Sequence, residues 1–425
     1  MKLIRAWTLY LFAFFIVLGS SSVFVTTSTS RYVYLSIIVS GFLLLFFSWG
    51  AEKENFKKIS KSHFGFFLII YIIFIVHFVL FSIHITSTRT YLMQFVSLFL
   101  LFFPIIWFYV SFYGYKDLLT AFVNVVVVIS VISIVFWLLG SILHILSPSG
   151  QVESSWGTTR YFPSYHSLYF ETQNGTVFGN VFVRNSGIWP EAPMFAMVLT
   201  FSWISELFML KRHKKLIISI LIIALISTLT STAYVILVLT FFIKFIPVVT
   251  HRKTVFPLFI FIVALIVFAV PIFGVLMQSI NAKMTSLSGS IRIDDYLAAA
   301  KSWKHALIFG HGYSNYSYIS QFMDLGVRQE YYNGWLFYNQ GLANSWSQIV
   351  SDGGTLFLLI YSVPFIQNTM SKRYSANRRL AFMMIIILMF FSVLCYTTIL
   401  FVFLAIAIAQ TDDLENQERV NLDSK

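Results

Sequence analysis

Residues 118–146 read LLTAFVNVVVVISVISIVFWLLGSILHIL, 29 positions without one Asp, Glu, Lys or Arg. An α-helix needs about 20 apolar residues to cross the hydrocarbon core of a bilayer. No water reaches the backbone there, so such a run must be helical to satisfy its own amides. Working outward, similar runs precede it at about 7–25, 32–49, 64–83 and 90–110. Others follow at about 188–209, 216–230, 233–249, 255–277, 346–366, 380–394 and 396–410. The chain reads as an all-α polytopic membrane protein, a single integral membrane domain over 1–425 with about 12 transmembrane helices.

Composition agrees. The chain is 58% hydrophobic and only 11% charged, where a soluble domain carries roughly 25% charged residues. That leaves too little polar surface to cover a water-soluble globule. The formal charge of +12 would point to nucleic acid in a soluble protein. Here the basic residues sit in short loops between apolar runs, so they report orientation and no nucleic-acid partner is expected. Cys395 is the one cysteine; it excludes an intrachain disulfide and leaves the redox compartment open. The stretch after Lys2 and Arg5 is long enough to span and a second run follows at once, so it reads as a first transmembrane helix rather than a signal peptide.

With this set of spans, 20 of the 29 Lys and Arg residues fall in loops on one side. Cytoplasmic loops retain Lys and Arg, which places both termini in the cytoplasm. Two long connections, 147–183 and 278–343, then face the outside and hold most of the polar chemistry. The hydroxyl-rich segment STLTSTA at 227–233 marks a turn or break between two spans, with close helix packing as the plainer reading.

The first outer loop ends in RNSGIWPEAP, 184–193. Arg184 lies where loop meets membrane, and its planar guanidinium suits phosphate; the plainer reading is an interfacial anchor. Glu191 opens the next helix, where the helix dipole favours a carboxylate. The second outer loop holds Arg292, which leads an amphipathic pattern to Phe309 with Ile293, Leu297, Ala300 and Lys304 near one line. Gly310–His311–Gly312 ends that helix. His311 is a candidate acid or base near neutral pH, although a lone loop histidine is more often not catalytic. Tyr331, Tyr332, Trp335, Phe337 and Tyr338 form a cluster that suits either stacking on sugars or an interfacial belt. Asn344 opens the next run. Asp352 follows within about two turns and is expensive to bury unpaired, with Arg184, Arg292 and Arg328 as candidate partners. No Gly-rich phosphate loop or HExxH stands in the chain. Asp294–Asp295 lacks the spacing of metal-dependent sugar-nucleotide transferases. No metal and no cofactor are expected.

RNSGIWPEAPMFA (184–196), STLTSTAY (227–234), IRIDDYLAAAKSWKHALIFGHG (291–312) and ANSWSQIVSDGG (343–354) together resemble the O-antigen polymerase and ligase superfamily, most closely the Wzy-type polymerases of O-antigen or capsule. The order of these stretches, the two outer loops and the span count fit as well. Two positions depart: Ala343 stands where many members, ligases above all, have His, and Thr232 where a common pattern has Arg. The missing His tilts the likeness from ligase to polymerase. The resemblance implies a metal- and nucleotide-independent glycosyltransferase of the bacterial cytoplasmic (inner) membrane. Its substrates would be undecaprenyl-diphosphate-linked oligosaccharides, with membrane lipid, a chain-length regulator and a flippase as partners. Arg184 and Arg292 would hold the diphosphate, with Arg328, Asn344, Tyr331 and Trp335 also among the substrate-binding residues. Glu191 would be the first candidate base, with His311 and Asp352 behind it. The rivals are a ligase that attaches finished glycan and a transporter or flippase. The near absence of charge within the spans argues against translocation.

Overall fold

A computed structural model describes residues 2–51, 59, 61–81, 88–154, 160–177, 180–210, 212, 214–250, 287–313, 315–332 and 335–409. The predicted run 255–277 lies outside them. The molecule is mostly helical. The first helices are α1 (Lys2–Gly19), α2 (Ser30–Ala51) and α3 (Lys61–Phe81). Then comes α4, which runs from Thr88–Gln94 through a π-helical stretch Phe95–Phe102 into Phe103–Tyr113. Pro104 follows that stretch, a place where a wider turn relieves the proline's clash with the preceding turn. Next are α5 (Lys116–Phe136, extended by Trp137–Ile142) and α6 (Ala192–Ile204, extended by Ser205–Leu210). The remainder are α7 (Lys215–Ser227), α8 (Ser231–Thr250), α9 (Leu287–His305), α10 (Ser345–Met370), α11 (Ala376–Phe391) and α12 (Thr398–Ala409).

Seven of these, α1 to α6 and α10, contain stretches long and apolar enough to cross a membrane. Helices α7, α8 and α12 are apolar but shorter. The first span ends six residues before the sequence boundary, at Gly19. The serines that follow bond back to the helix, Ser20 Oγ to Ile16 O (2.9 Å) and Ser22 Oγ to Leu18 O (2.6 Å), and hydroxyls of this kind compete with helical pairing. The hydroxyl-rich segment does break the chain: α7 stops at Ser227, Leu229 has φ 49°, and α8 starts at Ser231. Likewise 380–394 and 396–410 are separate helices, joined through 392–397.

The core is aromatic. Every residue of α12 is buried, as expected of a helix that is apolar on all sides. Phe401 on it meets Phe99 (5.0 Å) and Phe103 (5.5 Å), and Phe99 meets Phe74 (5.1 Å), all edge to face. Such pairs each add about 0.5–1.5 kcal/mol beyond their buried area.

Outside the helices, the described residues form three small antiparallel sheets that the sequence reading did not anticipate. One is β1 (Gly150–Ser154), β2 (Arg160–Tyr165) and β3 (Tyr169–Phe170); another is β4 (Asn174–Val177) with β5 (Asn180–Val183). The third pairs β6 (Gln329–Tyr332) with β7 (Trp335–Tyr338). Strand pairing is how a connection without helix satisfies its backbone. Both long connections crown the same end of the bundle. Trp189 Nε1 donates to Ser20 O (2.8 Å), Ser20 Oγ bonds Thr398 Oγ1 (2.7 Å), and Ser345 Oγ donates to Ser392 O (2.6 Å). The opposite end gathers the cations. Arg5 pairs with Asp117 (3.2 Å), Arg212 with Glu206 (2.5 Å), and buried Arg378 donates to Asn368 Oδ1 (2.8 Å) and Ile406 O (3.3 Å). Arg378 thus sits by the carboxyl end of α12, where the helix dipole attracts a cation.

Candidate active site

Three groups of polar side chains occupy the crown. The first forms where β5 runs into α6. Arg184 N donates to Gln173 O (2.9 Å), its Nε to Thr228 O (3.0 Å) and its Nη1 to Gln173 Oε1 (3.1 Å). Beside it, Asn185 N donates to Ser227 O (3.0 Å) and Asn185 Nδ2 to Ser227 Oγ (2.9 Å). The arginine and asparagine therefore grip the hydroxyl-rich break between α7 and α8. Glu191 occupies the N-cap of α6 with extended backbone (φ −145°, ψ 143°) and makes no side-chain cap bond. Burial pulls the Arg184 guanidinium below its usual pKa, and the charges of Glu191 and Tyr234 push it back up. A cation, a carboxylate and a phenol thus come within electrostatic reach at the mouth of α6, α7 and α8. Tyr234 is the member that sequence reading missed, although it closes the quoted STLTSTAY.

The second group is built on a broken helix. Gly354 in α10 has φ 58° and ψ −150°, so the helical bonds across it cannot form. The connection after α9 supplies replacements. His311 N and Gly312 N donate to Ser351 O (2.9 Å) and Asp352 O (2.8 Å), while Thr355 N and Leu356 N donate to Leu307 O (2.8 Å) and Ile308 O (3.1 Å). The approach is close enough to require glycine. A Cβ on Gly310 (φ 64°) would stand 2.5 Å from Asp352 C, and one on Gly354 2.6 Å from Ile308 O. Nonhelical backbone inside a helix of membrane-crossing length needs its polar groups satisfied by protein in this way.

His311, the candidate acid or base, is engaged within its own loop. Its Nε2 donates to Ser302 O (3.0 Å), and its ring packs against His305 (5.5 Å), Tyr318 (4.8 Å) and Phe322 (5.5 Å). Burial lowers its pKa, the Ser302 carbonyl raises it, and His305 lowers it again. Asp352 is buried, and Tyr396 Oη, not an arginine, donates to its Oδ2 (2.7 Å). Around it Gln348 Nε2 donates to Tyr316 Oη (2.6 Å), Cys395 Sγ to Gln348 Oε1 (3.3 Å), and Tyr313 Oη to Gln94 Oε1. Burial pushes the phenols of Tyr313 and Tyr316 up, so both keep their protons. These tyrosines went unnoticed in sequence because nothing in a linear reading ties Tyr313 to Gln94.

The third group encloses Arg328, which was expected among the substrate-binding residues, within the protein. This side chain is fully buried, with Nε 2.5 Å from Asp294 Oδ2 and Nη2 2.5 Å from Asp295 Oδ1. Its Nη1 donates to Asn339 O and Gly341 O (both 3.1 Å). Asp295 Oδ2 also accepts from Ala343 N (2.8 Å), and Asp294 from Asp324 N (3.1 Å). The knot is structural. Asn344 is likewise the N-cap of α10, accepting from Ser347 N (2.8 Å). Arg292, on α9, is half-buried, and its guanidinium makes no hydrogen bond or ion pair among the described residues. Its charge acts on Tyr296, whose hydroxyl donates to Phe390 O (2.6 Å). Tyr331 and Trp335 lie on β6 and β7, with Tyr332 opposite Trp335. The dipeptide Asn333–Gly334 between two aromatic runs was the hairpin signal available in the sequence.

Among the described residues, no three His, Cys, Asp or Glu side chains group so as to hold a metal ion. Arg184 with Glu191, Arg292, and His311 with Asp352 stand on different elements of one crown. Comparison with protein-family models, with curated proteins and with solved structures returned no match.

Proposed function

We propose that this chain polymerises a surface polysaccharide, O-antigen or capsule, by joining undecaprenyl-diphosphate-linked oligosaccharide repeat units at the outer face of the bacterial cytoplasmic membrane. In this reading the bundle crosses the bilayer about twelve times, the crown faces outward and the termini face the cytoplasm. The observation that carries it is Arg184, a half-buried cation held by neutral acceptors at the mouth of the bundle, with Glu191 and Tyr234 in electrostatic reach.

Glycosyl transfer needs what this group offers. The acceptor hydroxyl oxygen bonds to the anomeric carbon of the donor. The bond from that carbon to the diphosphate breaks, and the diphosphate leaves with the electron pair. Arg184, with Arg292 from α9, neutralises the departing charge, the type of stabilisation worth most in a site shielded from water. Glu191 accepts the hydroxyl proton. We rank Glu191 ahead of His311, whose Nε2 is committed to Ser302 O, and ahead of buried Asp352. A chain-length regulator and a flippase would be its working partners.

One observation favours a second reading. A buried carboxylate, Asp352, beside a break in a membrane-length helix is an arrangement transporters use. The deciding test is surface-polysaccharide length on a gel, in a deletion strain carrying wild type, Arg184→Ala or Arg292→Ala at equal membrane levels. Single repeat units with either variant, and a ladder only with wild type, support the polymerase. Full-length but unattached polymer means ligase, and no exported glycan means transporter. Unchanged ladders with both variants remove these arginines from the site.

A further inference from the structure

Helix α9 is amphipathic in the reverse sense for a water-facing helix. Its inward side carries Asp294, Asp295 and Ser302 together with Ala298 and Ala299. The line of Ile293 and Leu297 faces out. Past its carboxyl end the chain presents three consecutive exposed apolar side chains, Leu307 (56%), Ile308 (58%) and Phe309 (43%).

That tip does not hang free of the bundle. Its carbonyls are bonded by Thr355 N and Leu356 N, just past the break in α10, a helix of membrane-crossing length. Phe309 stacks on Phe81 at the end of α3 (4.5 Å, 13°), and His77 Nε2 donates to Phe309 O (2.7 Å). The neighbouring Val79 and Leu80 of α3, itself an apolar helix of crossing length, are exposed as well. The tip therefore continues the outer surface of two membrane-length helices. Lys301 and Lys304 stand exposed one to two turns before it. An apolar end with ammonium groups just above it matches the two layers of a leaflet, acyl chains beneath phosphates.

We infer that the tip of α9 inserts into the leaflet adjoining the crown, with Lys301 and Lys304 on the phosphates of anionic phospholipids. The inference does not depend on the glycan chemistry. It makes part of an apparent surface loop a lipid-seated wedge. Because residues 307–312 supply the backbone bonds at the break in α10, lipid on one side of this loop and Asp352 on the other share one support.

Spin labels on Ile308→Cys and on Lys301→Cys, in the full chain in nanodiscs, test it. Cys395 is buried, and the labelled wild type serves as its blank. At Ile308 the label should be several-fold more accessible to oxygen than to a water-soluble nickel chelate, with the reverse at Lys301. Adding phosphatidylglycerol to phosphatidylcholine discs should deepen the Ile308 label, and Lys301→Gln with Lys304→Gln should abolish that response. An Ile308 label open to the nickel chelate overturns insertion. A label shielded from both reagents means a protein surface covers the tip. Indifference to phosphatidylglycerol overturns the role of the lysines.

Discussion

Arg328 and Arg184 are both drawn out of water by the crown, and their surroundings differ in kind. Arg328 is buried with two carboxylates and two backbone carbonyls, so its charge is matched within the protein. Arg184 is held by one backbone carbonyl and one glutamine side chain, with Glu191 near but not clasping it. A saturated cation has a fold to hold together. A cation positioned by neutral acceptors keeps its charge for something else. The contrast separates an arginine whose charge is matched inside the protein from one held by neutral acceptors, where the sequence treats both alike.

The comparison breaks most sharply at Arg328. Arg328→Ala strands Asp294 and Asp295 in the interior, and removing one partner of a buried ion pair costs about 3–5 kcal/mol. Loss of folded protein from the membrane, read by fluorescence-detected size exclusion, is the expected outcome. Asp294 and Asp295 substitutions should produce the same defect. The second largest effect belongs to the glycine contact. Gly310→Ala combines a left-handed backbone with a Cβ 2.5 Å from Asp352 C, on the order of 2–4 kcal/mol, visible as a lower unfolding temperature in detergent. Arg184→Ala should cost only about 1–2 kcal/mol, the net worth of two hydrogen bonds, with a near-normal melt. Polymer formation should nevertheless fall on the order of a hundredfold if the side chain stabilises the leaving diphosphate. A large drop in stability there would make the two arginines alike.

The smallest expected effect is a pH response. Burial holds the His311 pKa below its ordinary value, so the unfolded chain binds its proton more readily than the folded one. Stability is complete above the unfolded histidine range and declines as pH falls through it toward the folded pKa. Melting temperatures across that window should show the decline, and His311→Gln should remove its share. An unchanged slope would detach His311 from the packing of this loop.

The crown was only partly legible. The break at 227–230 could be read because hydroxyl runs act locally on the backbone, whereas α9 stops at His305, four residues short of the expected Phe309, where the chain turns to meet the break in α10. The line of Ile293, Leu297 and Ala300 was found at the right positions, but periodicity does not say which face turns inward, and here the apolar line faces out. Arg328 looked like a ligand-binding residue because its partners lie more than thirty positions away. Asp352 was rightly singled out as a buried acid, while its partner, Tyr396, lies in the break between the last two helices.

What the sequence determined by itself is the solvent of this protein and the spacing of its helices, because the cost of placing a backbone or a charge in hydrocarbon is paid residue by residue and can be summed along the chain. Which arginine is neutralised, which face of α9 is hidden and how a broken α10 keeps its hydrogen bonds were decided only in the tertiary structure. Each of those depends on two distant segments meeting, and the interaction that settles it has no local signature.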